Sequence, residues 1–107
     1  MAYKVLAQSA PSATTATDVY TVGSGVETVI STIIIANRAA SAGTFRLSVR
    51  PNGGTQTDAM YCAYDVPVAA NDSTTLTLGL TLDATDVITA YCSSADMSIN
   101  IFGTEIS

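Results

Sequence analysis

Hydrophobic and polar residues alternate with a period of two over much of this chain. Such alternation is typical of a β-strand that faces a core on one side and solvent on the other. The clearest example is Thr44–Arg50, in which Phe45, Leu47 and Val49 occupy one face and polar residues occupy the other. The pattern therefore predicts strands rather than helices.

Turn-forming residues divide the chain into about eight such strands. Gly, Pro, Asn and Asp cluster between the alternating segments, as in Gly23–Gly25 and Pro51–Gly54. The predicted strands are Tyr3–Gln8, Asp18–Val22, Val26–Asn37, Thr44–Arg50, Met60–Val66, Thr74–Leu80, Val87–Ser93 and Met97–Glu105. This arrangement predicts an all-β fold, an antiparallel two-sheet β-sandwich that is jelly-roll-like. An immunoglobulin-like sandwich is the alternative, although the chain has no Trp for its usual core.

One segment, Val26–Arg38, departs from strict alternation because it is apolar on both faces. Strict alternation would place Ile33 and Ile35 on one face, and Ile30 and Ile34 on the other. A strand that is apolar on both faces is usually covered on both faces. We therefore expect one face to pack in the core and part of the other to be covered by a neighbouring subunit.

The length and composition suggest a single domain whose surface is largely covered by other protein molecules. Residues 1–107 are the length of one domain, and charged residues make up only 12% of them, against about 25% in average soluble proteins. Small monomers normally cover their surface with charge, so this shortage favours an oligomer or a particle component. A soluble, Thr-rich monomer is the alternative. Segment 1–17 is expected to supply a first strand and an arm that lies over a neighbour.

Charge and hydropathy argue against nucleic-acid and membrane partners. The net charge is −5 and only four residues are basic, whereas phosphate groups and anionic lipids attract clustered Lys and Arg. No apolar run approaches the length of a membrane span or resembles a signal peptide, so we expect folding in a cytoplasm.

Cys62 and Cys92 each lie in a predicted strand. Two buried thiols are the favoured interpretation, and one cross-strand disulfide is the alternative.

Residue types that support catalysis or metal binding are scarce. The chain has no His, so neither a Ser-His nor a Cys-His nucleophile can be assembled, and the commonest metal ligand is missing. Gly23–Gly25 lacks the Lys and the helix of a phosphate loop and instead predicts a hairpin turn. Asp72, Asp83 and Asp86 match no calcium motif, and we expect them to bond local backbone. We therefore expect no enzyme activity and no cofactor.

The remaining candidates form a possible subunit interface. Arg46 and Arg50 share the polar face of one strand, and guanidinium groups often pair with carboxylates across interfaces. Ordinary surface arginines that keep the strand soluble are the alternative. The candidate interface residues are Arg38, Arg46, Arg50, Ile33 and Ile35.

The order of the segments YKVLAQSAP, DVYTV, VISTIIIANR and GTFRLSVRPNG resembles that of small virion structural proteins of tailed bacteriophages. The resemblance covers nearly the whole chain and is most specific over Asp65–Ser93 and the FGTEI ending. It implies a sandwich module that decorates capsids or caps fibres and tail parts, often as a trimer.

Three functions follow as expectations from this resemblance and from the composition. The first is a capsid decoration (cement) protein in the virion, which contacts its own copies and the major capsid protein. The second is a tail, fibre or baseplate module that contacts the host through Tyr20, Tyr61 and Tyr64, if these are exposed. A free carbohydrate-binding module ranks last because the chain has no Trp to stack on sugars.

Overall fold

The computed structural model describes residues 2–77 and 79–107 and shows two antiparallel β-sheets. The strands are β1 Lys4–Ser9, β2 Thr17–Thr21, β3 Glu27–Asn37, β4 Gly43–Arg50, β5 Tyr61–Val68, β6 Ser73–Leu76, β7 Leu80–Leu82, β8 Val87–Cys92 and β9 Met97–Ile106. Two single-turn 3-10 helices, Pro51–Gly53 and Asp58–Met60, lie between β4 and β5, and no α-helix occurs in the described residues. The all-β prediction is confirmed.

The strands pair in a nested order, from the two ends of the chain towards its middle. β1 pairs with β9, β2 with β8, β3 with both β6 and β7, and β4 with β5. The larger sheet has the order β1-β9-β3-β6, with β7 also on β3, and the smaller sheet has the order β2-β8-β4-β5. Counting β6 and β7 as one interrupted strand gives the eight strands of a jelly roll, as predicted.

The hydrophobic core lies between the two sheets and is built by alternate residues of their strands. Phe45 on the smaller sheet and Ile33, Ile35, Ile99 and Ile101 on the larger sheet are all at most 1% exposed. Burying each such side chain stabilises the fold by about 1.5–3 kcal/mol. The alternation predicted for β4 and β9 is therefore confirmed.

A β-bulge in β3 changes which of its residues face the core. The pairing of β3 with β9 shifts between Ile30 and Thr32, so Ser31 is an extra residue with no partner opposite it. The bulge places Ile30 on the same side as Ile33 and Ile35, and all three are buried. The prediction that Ile30 faces away from them is wrong because simple alternation takes no account of an extra residue.

Two predicted strand boundaries also change. β5 continues through Pro67 because β5 is an edge strand, where a residue without an N–H group breaks no ladder. The predicted strand Thr74–Leu80 is two strands, β6 and β7, separated by a segment in which Gly79 has a φ of 60°. Leu76 and Leu80 pack against the core as predicted. The inward orientation predicted for Leu78 lies outside the described residues.

Every edge strand of the two sheets is irregular. The pairing of β1 shifts between Val5 and Ala7, and that of β2 shifts between Asp18 and Tyr20. β5 has two register shifts and contains Pro67, while β6 and β7 form an interrupted edge. Irregular edges are poor templates for pairing with another strand. Pairing of an edge strand with a strand of another molecule is therefore disfavoured.

The N-terminal segment is built into the fold. β1 lies in the larger sheet, Pro11 is buried, and Ala13 forms a parallel bridge with Cys92. The Thr14 N–H group also donates a hydrogen bond of 2.8 Å to the Cys92 carbonyl oxygen. The predicted first strand is present, and backbone hydrogen bonds hold the segment after it against its own domain. The predicted contact of this segment with a neighbouring molecule stays a prediction.

Candidate interaction surfaces

Arg46 is the centre of a side-chain cluster on the outer face of the smaller sheet. Its guanidinium carbon lies 4.2 Å from the ring centroid of Tyr64 and 4.6 Å from that of Tyr91. Its Nε donates a hydrogen bond of 2.7 Å to Asp65 Oδ1, and a second nitrogen lies 3.3 Å from Asp65 Oδ2. The guanidinium is therefore held by two aromatic rings and one carboxylate.

A bulge in β5 brings two of these partners to Arg46. Phe45 pairs with Val66 and Leu47 pairs with Ala63, so both Tyr64 and Asp65 lie opposite Arg46. Asp65 adopts a left-handed φ of 50°, a conformation that costs a non-glycine residue about 1–2 kcal/mol. In this conformation the Asp65 carboxylate reaches the Arg46 guanidinium.

The cluster exposes an aromatic surface to solvent. Tyr64 is 56% exposed and makes an edge-to-face contact with Tyr61, with ring centroids 4.9 Å apart. A depression of about 40 Å³ lies beside Tyr61 and Tyr91, and its lining includes the polar residues Ser48, Gln56 and Thr89. We refer to Arg46, Tyr61, Tyr64, Asp65 and Tyr91 together as the tyrosine patch.

The ionic pair in the tyrosine patch is close to neutral overall. The hydrogen bond from Arg46 holds the pKa of the Asp65 carboxyl below its usual range, so this carboxylate stays ionised at neutral pH. The same bond raises the pKa of Arg46, which stays protonated. The opposite charges therefore cancel within a distance of about one hydrogen bond.

The predicted interface arginines have partners within the chain. Arg50 donates to Asp18 Oδ1 at 2.8 Å, to Thr89 Oγ1 at 3.0 Å, and to two carbonyl oxygens of the loop after β4. Arg46 pairs with Asp65, as described above. Both arginines therefore pair with carboxylates inside the chain, and their predicted place at a subunit interface stays a prediction. Asp18 and Asp65 come opposite these arginines only through the strand register, which residue spacing does not reveal.

Arg38 remains accessible at one end of β3. Its side chain donates to Ser98 Oγ at 2.9 Å and to the Ala95 carbonyl oxygen at 3.3 Å, and the residue is exposed. In contrast, Ile33 and Ile35 are 1% and 0% exposed within the single chain. Their assignment to a subunit interface is wrong, because they face the core and present no surface to a second molecule.

The outer face of the larger sheet carries an apolar surface that does not include the predicted interface residues Ile33 and Ile35. Val29, Ile34 and Phe102 are half-buried and lie outside the core cluster, and Val5 pairs with Phe102 and is 49% exposed. We refer to these four residues as the outer apolar face. The indication in the sequence was Phe102, which alternates with Ser98 and Asn100 on the polar side of its strand.

Charges lie at the two ends of this face rather than within it. Glu27 begins β3, and Arg38 follows its last residue. Between them, the pairing places uncharged polar residues around the apolar ones, namely Thr32 on β3, Asn100 on β9 and Thr75 on β6. The surface therefore has an apolar centre and a neutral polar surround.

Tyr20 and Cys92 are buried in the structure, whereas Cys62 is exposed to solvent. Tyr20 is buried, so it is not the exposed contact residue that a host-binding role would use. Cys62 and Cys92 are both free thiols, which agrees with the interpretation without a disulfide. Cys92 is buried as expected, but Cys62 is exposed because it lies on the edge strand β5.

The turn aspartates bond backbone groups, as predicted. Asp86 accepts hydrogen bonds from the N–H groups of Asp83 at 2.9 Å and of Asn52 at 2.8 Å. Asp83 accepts one from Ala84 at 2.8 Å. Among residues 2–77 and 79–107, no three side chains of His, Cys, Asp or Glu come together in a way that could hold a metal ion.

In the described part of the chain, no helix has the length and apolar character needed to cross a bilayer. Comparison with protein families, with curated proteins and with solved structures gives no match for this chain. Function is therefore inferred from the fold and from the two outer faces of the sandwich.

Proposed function

We propose that this protein is a structural component of a bacteriophage virion, and specifically a decoration (cement) protein of the head shell. The observation that carries the proposal is the outer apolar face, which lies on a sandwich whose edge strands are all irregular. The sequence resemblance to small virion proteins supports the same class. Its partner on this face is the major capsid protein.

The size of the molecule suits such a contact. A stable interface of standard size buries about 800 Å² on each partner. The Cα positions extend over 41 × 30 × 19 Å, and the shortest dimension suits the thickness of two stacked sheets. The broad side of the molecule is therefore large enough for a standard interface.

The chemistry of the outer apolar face suits a permanent contact. Stable interfaces have an apolar centre poor in charge and a polar rim that forms hydrogen bonds. Val29, Ile34 and Phe102 supply the centre here, while Thr75 and Asn100 supply neutral hydrogen-bonding groups around it. Such a face clamps neighbouring shell subunits by burial, without needing a ligand pocket.

The test is the stability of phage particles that lack this protein. We expect such particles to lose genome-filled heads at lower temperature, and to break more readily on osmotic shock, than wild-type particles. Adding back the purified protein restores both properties if it binds the shell. Particles without the protein that equal the wild type in both assays would contradict the cement role.

A module of the tail, fibre or baseplate is the second candidate, and the tyrosine patch favours it. Exposed Tyr side chains beside Arg are frequent at the centres of recognition surfaces. Labelled antibody would then mark the tail rather than the whole head. A copy number in the hundreds per virion would exclude this location.

A further inference from the structure

We infer that the tyrosine patch is a binding site for a neutral saccharide. The patch lies on the outer face of the smaller sheet, whereas the outer apolar face belongs to the larger sheet. A molecule attached to a shell through one face therefore leaves the other face free. The inference rests on the patch alone and does not depend on the proposed role in the shell.

Tyr64 provides a rigid platform on which a sugar ring can stack. Arg46 covers one face of its ring at 4.2 Å and Tyr61 makes an edge-to-face contact with it, yet the residue remains 56% exposed. Tyr64 therefore keeps exposed surface that Arg46 does not cover. Aromatic rings attract the C–H groups of a sugar through their negative faces, and a ring that is already fixed loses little entropy on binding.

Polar groups beside the platform can recognise sugar hydroxyl groups. The Asp65 side chain is 48% exposed, and its carboxylate keeps lone pairs free beyond those used by Arg46. The depression near Tyr61 and Tyr91 has a volume of about 40 Å³, which holds one water-sized group, and Gln56 lies in its lining. The depression has room for one hydroxyl group of a sugar bound at the tyrosine patch.

The charge of the patch selects an uncharged ligand. Arg46 is hydrogen-bonded to Asp65 and stacked on two rings, so it offers no unpaired charge to a phosphate or carboxylate. The neighbouring Arg50 is likewise paired with Asp18 at 2.8 Å. A neutral ligand with many hydroxyl groups fits this surface better than an ion of either sign.

The test uses an array of immobilised neutral, sialylated and sulfated oligosaccharides, probed with the full labelled chain. The strongest neutral binder is then titrated by calorimetry against the wild type and three variants. Tyr64→Ala removes the platform, and we expect it to weaken binding about tenfold or more, which corresponds to about 1.4 kcal/mol. Tyr64→Phe retains the ring and should keep most of the affinity.

Tyr3→Ala is the matched control, because Tyr3 is 72% exposed and precedes β1 of the larger sheet. It should bind as the wild type does. The inference is overturned if no neutral oligosaccharide binds, if only the anionic ones bind, or if Tyr64→Ala binds like the wild type while its melting temperature is unchanged. None of these outcomes affects the particle assays that test the shell role.

Discussion

Tyr20 joins the two sheets at a single point. Its hydroxyl group on β2 donates to Glu105 Oε2 at 2.7 Å and accepts from Thr28 Oγ1 at 2.9 Å, both on the larger sheet. Glu105 Oε1 in turn lies 3.0 Å from Lys4 Nζ. Burial raises the pKa of Tyr20, so this hydroxyl keeps its proton and remains a donor. Four strands thus meet in one polar network beside the apolar core.

Removing this hydroxyl should weaken the fold measurably. We expect Tyr20→Phe to lower the free energy of unfolding by about 1–3 kcal/mol, because the buried Thr28 hydroxyl and the Glu105 carboxylate each lose a partner. Urea unfolding followed by circular dichroism measures the change. Tyr3→Phe, at an exposed site, is the control and should have no effect. Equal stability of both variants would contradict the role of the network.

The same network predicts a dependence of stability on acid. The hydrogen bond from Tyr20 and then the contact with Lys4 hold the pKa of Glu105 below its ordinary value of 4.5. A carboxyl whose pKa is lower in the folded state stabilises the fold above its unfolded pKa, and this contribution is lost as pH falls through the folded pKa. We therefore expect the advantage of the wild type over Glu105→Gln to be constant near pH 7 and to shrink below about pH 4.5. A difference that does not change between pH 7 and pH 3 would contradict this assignment.

The side-chain partners of individual residues are the property that the sequence predicts least well. The alternation in Thr44–Arg50 correctly separates the core-facing residues from the others, because that property depends only on position within one strand. The partners of Arg46 and Arg50 depend on which strands become neighbours and in which register. Asn37 illustrates the same limit. It is buried and donates to the carbonyl oxygens of Ser41, Val68 and Ala69, although nothing in its local sequence indicates this role.

At the scale of elements, β3 and β9 approach each other closely at Gly103. Gly103 on β9 pairs with Ile30, beside the bulge at Ser31. A Cβ atom at position 103 would overlap the Val29 carbonyl oxygen and would lie 3.1 Å from Ile30 Cα. The bulge and the glycine therefore depend on each other, since the backbone of β3 occupies the space that a side chain would need.

Substituting this glycine tests that dependence. We expect Gly103→Ala to lower the free energy of unfolding by about 2–3 kcal/mol, because backbone atoms of β3 would have to move. Gly23→Ala is the matched control, since its added methyl group meets only the Val26 side chain at an ordinary 3.6 Å. Thermal unfolding of the two variants gives the comparison. If Gly103→Ala is as stable as Gly23→Ala, the backbone of β3 can move aside at little cost, and the predicted dependence is contradicted.

The elements themselves were largely predictable, and the exceptions have local causes. Eight predicted segments correspond to the nine strands, since alternation and turn residues act over short distances. The passage of β5 through Pro67 was not predictable, because only the position of β5 at a sheet edge permits it. The bulge at Ser31 was missed for a related reason. An extra residue becomes visible only when β9 is aligned beside β3.

At the scale of the whole molecule, the sandwich presents two chemically different sides. The outer apolar face is uncharged at its centre, whereas the tyrosine patch combines aromatic rings with a neutralised ion pair. The function proposed for the shell uses the first side, and the inferred saccharide site uses the second. The sequence indicates a second apolar face on β3, but Ile33 and Ile35 were assigned to it, whereas Val29 and Ile34 occupy it.

One substitution separates attachment from folding. We expect Ile34→Asp to retain the fold, because Ile34 lies outside the core cluster, and to lose most of its occupancy on particles that lack the natural protein. A buried charge without a partner opposes such a contact. Quantitative mass spectrometry of purified particles measures the occupancy, with the exposed Thr21→Asp of the smaller sheet as control. Full occupancy by a folded Ile34→Asp protein would exclude this face as the attachment surface.

The nested order of the strands has a consequence for synthesis. β9 lies between β1 and β3, and its Asn100 meets Gln8, a residue 92 positions earlier. The larger sheet therefore cannot form while β9 is still inside the ribosome, because β1 and β3 both pair with β9. Until then, the edges of β1 and β3 that face β9 have no partner strand. Pairings between such distant segments form slowly. Ribosomes arrested before Met97 should carry nascent chains that proteases digest readily, whereas chains released with β9 should become resistant. The sandwich therefore completes its folding only after translation has passed β9.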